Sequence, residues 1–241
     1  MKFINYAHRG ACAYAPENTF ASFYLGQQMG ANGIETDVQR TSDGVLVLFH
    51  DNNSMMRTAG RPEAIQNMTY AQLLRLDLGA FMGEAFRGER IVTLEEFLRH
   101  FGGKDLHLAI EIKEYGVEAD TLALIDRYCR KDHVIITSGI IASLREVHRL
   151  DPEMRLGYLT RIVTDQLMDI LMEDGIGQIC PQAPALTPEV NQQLREKGFS
   201  VRPWGISDDT IMRRMLELHV DGMTTNYPDH LVAMLKELPQ D

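Results

Sequence analysis

The chain has 241 residues, 44% of them hydrophobic, and a formal net charge of −10. That length suits one α/β barrel or two small domains, and the apolar content excludes a disordered chain. The acidic balance argues against a nucleic-acid groove, which needs a basic face; it leaves room for an anionic substrate wherever a bound cation dominates the local field.

The first apolar run, Ile4 to Arg9, predicts a strand that ends on His8 and Arg9, with Gly10 just beyond. It begins so early that no cleaved signal is expected ahead of it, and no apolar run approaches a membrane span. Cys12, Cys129 and Cys180 are scattered, without metal or disulfide spacing, so a cytoplasmic protein is expected. A helical pattern from Pro16 to Ala31 opens with Pro-Glu-Asn-Thr.

The next strand, GIETDVQ, carries Glu35 and Asp37 two residues apart, hence on one face. VLVLFH follows, ending on His50, after only the short stretch RTSDG. A parallel crossover needs a dozen or more residues, so these two strands must form an antiparallel hairpin, with His50 roughly opposite Glu35. Residues 51–92 form the one long connection, with a short helical pattern from Thr69 to Leu76 and glycine-rich loops. Leaving from the His50 end, this insertion reads as a small cap over the mouth of the site.

A helix from Thr93 to Phe101 begins in capping-box form. The strand LHLAIEIK then sets Glu111 and Lys113 on one face. Five further strand runs alternate with helical segments, the last of them an amphipathic one from Asp208 to His219. Gln182 ends one of these strands and Trp204 lies near the end of the next. Of nine strand candidates, removing the hairpin's return strand leaves eight parallel ones. The expected fold is therefore an α/β TIM (β/α)8 barrel, a single domain over 1–241 with a hairpin after the second strand and an inserted cap region at about 51–92.

Taken singly, a strand-end histidine or an acid pair is ordinary structure. In this chain Glu35, Asp37 and Glu111 stand in apolar strands, where unpaired carboxylates are costly. Three carboxylates suit a hard divalent cation, two imidazoles can serve as general base and general acid, and Arg9 and Lys113 can meet phosphate charge. These are the parts needed to hydrolyse a phosphodiester.

At this point the chain resembles the glycerophosphodiester phosphodiesterase family. The matching segments are HRG (8–10), PENT (16–19), the E-x-D of Glu35 and Asp37, DG followed by LFHD (43–51), and the E-x-K of Glu111 and Lys113. Weaker matches are MTYAQLLRLDLG, TLEEF, Trp204 and DGMTTNYPD, so the likeness runs in order from residue 7 to about 230. The resemblance implies a (β/α)8 barrel in which His8 and His50 are the acid–base pair and Arg9 and Lys113 contact phosphate. It implies that Glu35, Asp37 and Glu111 hold one divalent cation, Mg2+ or Ca2+, and that Trp204 packs against glycerol. Gln182 is expected to reach the substrate from the barrel mouth. Two segments depart from the family pattern, Trp204-Gly205-Ile206-Ser207 and Thr225-Asn226-Tyr227-Pro228. Neither is expected to touch the metal or acid–base set.

The implied activity is metal-dependent hydrolysis of glycerophosphodiesters to glycerol 3-phosphate and an alcohol. The alternatives are lysophospholipase D-type cleavage of lysophospholipids, for which no amphipathic membrane anchor is visible, and a non-catalytic barrel that binds a phosphorylated ligand. The expected partner is a small-molecule glycerophosphodiester, with no nucleic acid and no stable membrane anchor. A homo-oligomer is compatible with the sequence.

Overall fold

A computed structural model describes residues 3–237, so the ends of the expected 1–241 domain (1–2 and 238–241) lie outside the described residues. The strands are β1 (Ile4–His8), β2 (Gly33–Arg40), β3 (Leu46–Leu48), β4 (His107–Ile112), β5 (Val134–Ser138), β6 (Leu156–Thr160), β7 (Gln178–Pro181), β8 (Ser200–Val201) and β9 (Gly222–Thr225). Their lateral order is β8-β7-β6-β5-β4-β2-β1-β9, with all pairs on this path parallel and β3 antiparallel to β2. The seam between β8 and β9 is drawn together by Asp221 N–H donating to Val201 O (2.9 Å) and Thr224 N–H to Pro203 O (3.0 Å). The result is a nearly closed eight-stranded parallel barrel with one hairpin strand outside the ring.

Each of the nine apolar runs contains one strand, but the seventh parallel strand is far shorter than its run. Pro203 has no N–H to donate, so the ladder is interrupted there. The wall continues through single bonds, Arg202 N–H to Ile179 O (3.1 Å) and Trp204 N–H to Pro181 O (3.1 Å).

The helices are α1 (Phe20–Gln28), α2 (Met56–Ala59), α3 (Tyr70–Leu73), α4 (Leu94–Phe101), α5 (Glu118–Tyr128), α6 (Ile141–Leu150), α7 (Asp165–Glu173), α8 (Pro188–Glu196), α9 (Asp209–Glu217) and α10 (Pro228–Glu237). In α4, Leu94, Phe97, Leu98 and Phe101 are buried against the barrel, and the Thr93–Glu96 capping box closes its first turn. A cap of this kind stabilises by roughly 1 kcal/mol. The first helix starts later than its pattern suggests. Thr19 is its N-cap, which leaves Pro16, Glu17 and Asn18 in the loop that follows β1.

The hairpin register pairs Val38 with Leu48 and Arg40 with Leu46. One more bond, Phe49 N–H to Asp37 O (3.0 Å), ends the ladder. Continued, this register would set His50 beside Thr36, one residue from the expected Glu35. The chain leaves the ladder because the Gln39 amide donates to both Phe49 O (2.8 Å) and Asp51 O (3.3 Å), replacing strand partners. Beyond it, residues 51–92 build a small core of their own, in which Met55, Ile65, Met68, Leu73, Leu78 and Ile91 pack with Val47 and Phe49.

Candidate active site

His8 and Arg9 sit where β1 runs out at the C-terminal end of the barrel. The chain there turns through left-handed conformations at Arg9 (φ 52°) and Gly10 (φ 83°). A Cβ on Gly10 would lie 2.4 Å from the Ser22 backbone, so only glycine lets the loop pack this close to α1. The turn aims Arg9 back over β2. Its backbone N–H donates to Glu35 Oε2 (3.2 Å), its Nε lies 3.2 Å from Asp37 Oδ2, and its Nη1 lies 3.0 Å from Glu17 Oε1.

Glu35 and Asp37 point into the barrel, and the β2–β4 register sets Asp37 directly beside Glu111. Among the described residues these three form the one carboxylate group whose oxygens all lie within 4.8 Å of one another. Lys113 Nζ is 2.8 Å from Glu111 Oε1 and 3.6 Å from Asp37 Oδ1. Burial and the neighbouring Asp37 and Glu111 carboxylates push the Glu35 carboxyl well above the usual carboxylate range. Burial and Asp37 raise Glu111 in the same way. Burial acts on Asp37 as well, but the Arg9 and Lys113 charges and the Asn18 amide outweigh it and hold Asp37 below that range.

This donor set fits a hard cation. Asp37 is fully buried, yet its Oδ1 has no hydrogen-bond partner, and two adjacent acids resist ionising until something neutralises them. Glu35, Asp37 and Glu111 are the residues that would hold a divalent ion.

The two histidines are held differently. His8 Nδ1 lies 2.6 Å from Asn226 Oδ1, so the proton is on Nδ1 and the Nε2 lone pair is free, 3.9 Å from Glu35 Oε2. Loss of hydration and the adjacent Arg9 guanidinium push the His8 ring down to about 3. It is neutral throughout the physiological range. His50 Nδ1 instead bonds to the carboxylate of Asp51 (2.8 Å), which can balance a proton carried on Nε2.

Asn226 corrects one expectation. It belongs to a segment expected to stay clear of the acid–base set, and instead it fixes the tautomer of His8. Asn18 was equally unmarked. It donates to Asp37 Oδ2 (3.0 Å) and accepts from Thr36 Oγ1 (2.7 Å). Arg57 on α2 was also missed. It bridges Glu17 (2.6 Å to each oxygen) and Asp51 (3.1 Å from Nε to Oδ2), so one run of ion pairs links Asp37, Arg9, Glu17, Arg57 and Asp51, and a hydrogen bond carries it on to His50. The insertion is thereby tied to the acid cluster by charge. Glu17 belongs to the PENT segment, but nothing in the sequence assigned it a place at the site or paired it with a residue forty positions on.

Trp204 lines the cleft above these groups, its indole N–H donating to Cys180 O (3.0 Å). Gln182 is not among the cleft-lining residues; its side chain lies beside Gly205, and its backbone bridges to that of Trp204. The cleft has a volume of about 570 Å3, and its floor includes Arg202, the largest fully buried side chain described. Arg202 donates to Gln178 Oε1 (2.9 Å), to Cys180 Sγ (3.3 Å) and to Thr224 Oγ1, and it stacks over the Tyr6 ring at 4.9 Å. It also lines a second cavity of about 310 Å3 at the opposite, N-terminal end of the barrel. Among the described residues no helix is long and apolar enough to cross a membrane.

Comparison with known proteins gives a match of residues 8–230 to the model of the glycerophosphoryl diester phosphodiesterase family. A glycerophosphodiester phosphodiesterase of Caldanaerobacter subterraneus is 34% identical, with 98% of this chain and 99% of that protein covered. One of Bacillus subtilis is 32% identical, covering 95% and 85%. Among solved structures, a phosphodiesterase of Oleispira antarctica in complex with the product sn-glycerol 3-phosphate superposes with a TM-score of 0.89 at 25% identity, covering 97% of this chain and 96% of that one.

Proposed function

Because the chain belongs to the glycerophosphoryl diester phosphodiesterase family, an enzyme family of phosphoric diester hydrolases, we propose that its cleft hydrolyses glycerophosphodiesters by metal-assisted acid–base chemistry between His8 and His50. The observation that carries this reading is the convergence, at one barrel mouth, of three carboxylates, two differently held imidazoles and the cations Arg9 and Lys113. In this reading residues 1–241 act as one barrel domain with 51–92 inserted, and the three cysteines, all free, suit a cytoplasmic setting.

The scissile phosphate binds between Arg9, Lys113 and the carboxylate cluster, with its glycerol arm against Trp204. Glu35, Asp37 and Glu111 would hold Mg2+ or Ca2+, which would supply positive charge to offset that of the phosphate. His8, neutral and with Nε2 free, takes the proton of the attacking oxygen, whether that belongs to water or to the substrate's own glycerol hydroxyl. His50, braced by Asp51, gives its Nε2 proton to the departing alkoxide as the P–O bond breaks. Asp37 and Glu17 keep the Arg9 fork fixed while this happens. Attack by water gives glycerol 3-phosphate and the alcohol directly; attack by the glycerol hydroxyl gives the alcohol and a cyclic phosphate, which a second attack, by water, opens to glycerol 3-phosphate.

The decisive assay is release of glycerol 3-phosphate from glycerophosphoglycerol or glycerophosphocholine. Turnover with Mg2+ or Ca2+ that stops on adding a chelator is expected. Folded protein that releases nothing with either ion rules the reading out.

The acid cluster also predicts how cation binding depends on pH. The folded-state pKa of Glu35 lies above its ordinary 4.5, so between that pH and the folded value the folded protein binds more protons than the unfolded chain. Stability from this group is present at low pH and declines as pH rises through the folded value. A cation needs the ionised carboxylates, so the rise in melting temperature on adding Mg2+ or Ca2+ should be larger at pH 8 than at pH 5. Equal rises at the two pH values would contradict a cation site at this cluster.

A further inference from the structure

Beside the main cleft lies a second, more open pocket of about 500 Å3 between β4 and the start of the insertion. Among the described residues, His50 and Lys113 alone line both hollows. A phosphodiester has two ester arms, and the group that both hollows must share is the phosphate itself. Lys113 offers it an ammonium at that junction, and His50 stands beside it. With the glycerol arm in the main cleft, the other arm has this outer pocket to enter. Attack and departure are in line, so His8, which lines only the main cleft, lies on the side of attack, and His50 faces the outgoing alcohol.

The chemistry of the outer wall points to the class of that alcohol. Asn52, Asn53 and Ser54 supply amides and a hydroxyl, and among the described residues their side chains make no hydrogen bond within the protein. Arg57, fixed by Glu17 and Asp51, closes the far side. Among the described residues no Trp, Tyr or Phe lines the pocket, so it offers no cation–π cage for a quaternary ammonium. Asp51, the acid nearest to attracting such a cation, is already paired with Arg57 and His50.

We propose that this outer pocket is the leaving-alcohol subsite, and that it selects hydroxylated, hydrogen-bonding alcohols such as glycerol or inositol over choline. The inference rests on the phosphodiesterase reading above. In the step itself, the bond between phosphorus and the alcohol oxygen breaks, that oxygen takes the His50 Nε2 proton, and the freed alcohol leaves through the open side of the pocket.

The test is kcat/KM for glycerophosphoglycerol, glycerophosphoinositol and glycerophosphocholine, on the wild type and on Asn52→Ala and Asn53→Ala. The wild type should favour the two hydroxylated substrates by about fivefold for each hydrogen bond they make and choline cannot. In the variants that preference should shrink by a similar factor, while choline turnover changes little. Since the readout is a ratio within one protein, a general loss of folded enzyme does not move it. Preference absent in the wild type, or unmoved in both variants, overturns the subsite alone. No turnover of any of the three substrates overturns the phosphodiesterase reading and the subsite together.

Discussion

His50→Ala should lower kcat on glycerophosphoglycerol by roughly a hundred- to ten-thousandfold, yet spare most turnover of a 4-nitrophenyl ester of glycerol phosphate. The expectation follows from what each imidazole is bonded to. His50 rests on the Asp51 carboxylate and its job is to protonate an alkoxide. A nitrophenolate leaves without that proton. His8→Ala should slow both substrates, because removal of a proton from the attacking oxygen is needed whichever group departs. His8 is held neutral by burial and by Arg9, with Asn226 on its Nδ1. The assignment is reversed if His8→Ala, and not His50→Ala, is the variant that keeps the nitrophenyl activity. Equal losses on both substrates in both variants would remove the acid–base distinction altogether.

Asp37→Asn should abolish cation-dependent turnover and also destabilise the fold. Asp37 is fully buried, with Arg9 3.2 Å away, Lys113 3.6 Å away and the Asn18 amide at 3.0 Å. An amide of the same shape leaves two buried cations facing a neutral group, and breaking a buried pair in this way costs about 3–5 kcal/mol. Glu111→Gln is the contrast, since Glu111 is partly exposed and Lys113 keeps the Asp37 carboxylate at 3.6 Å. It should lose turnover with a smaller fall in melting temperature. If Asp37→Asn melts like the wild type and still responds to Mg2+, the central place given to Asp37 is wrong.

The strand ends that carry chemistry could be read from the chain because strand periodicity is strict. Glu35 and Asp37, or Glu111 and Lys113, must share a face once their segment is extended, and the shortness of 40–44 forced the hairpin. Where side chains replace backbone, that logic fails. The ladder itself runs one residue out of the expected register, and the Gln39 amide then takes the carbonyls of Phe49 and Asp51, so His50 leaves the ladder. Pro203 cuts β8 short for lack of an N–H. The supporting shell was hidden for a different reason: Asn18, Arg57 and Asn226 act on residues 19, 6 and 218 positions away in sequence, and no local pattern announces such pairs. Gln182 follows β7 directly and sits beside Gly205 and Trp204, both of which line the cleft.

Barrels of this kind commonly divide their labour, with chemistry at the C-terminal rim and stability at the opposite end. Arg202 crosses that division, since its guanidinium belongs to the cleft floor and to the lower cavity at once. Its partners come from three different strands: Gln178 and Cys180 from β7, Thr224 from β9 and Tyr6 from β1. The barrel is therefore not freely divisible as a piece of heredity. A recombination point between β6 and β7 keeps residues 178, 180, 202 and 224 on one fragment. A point between β7 and β8 parts the charge from Tyr6, Gln178 and Cys180, and a chimaera joined there inherits the cation with only Thr224 of its own cradle.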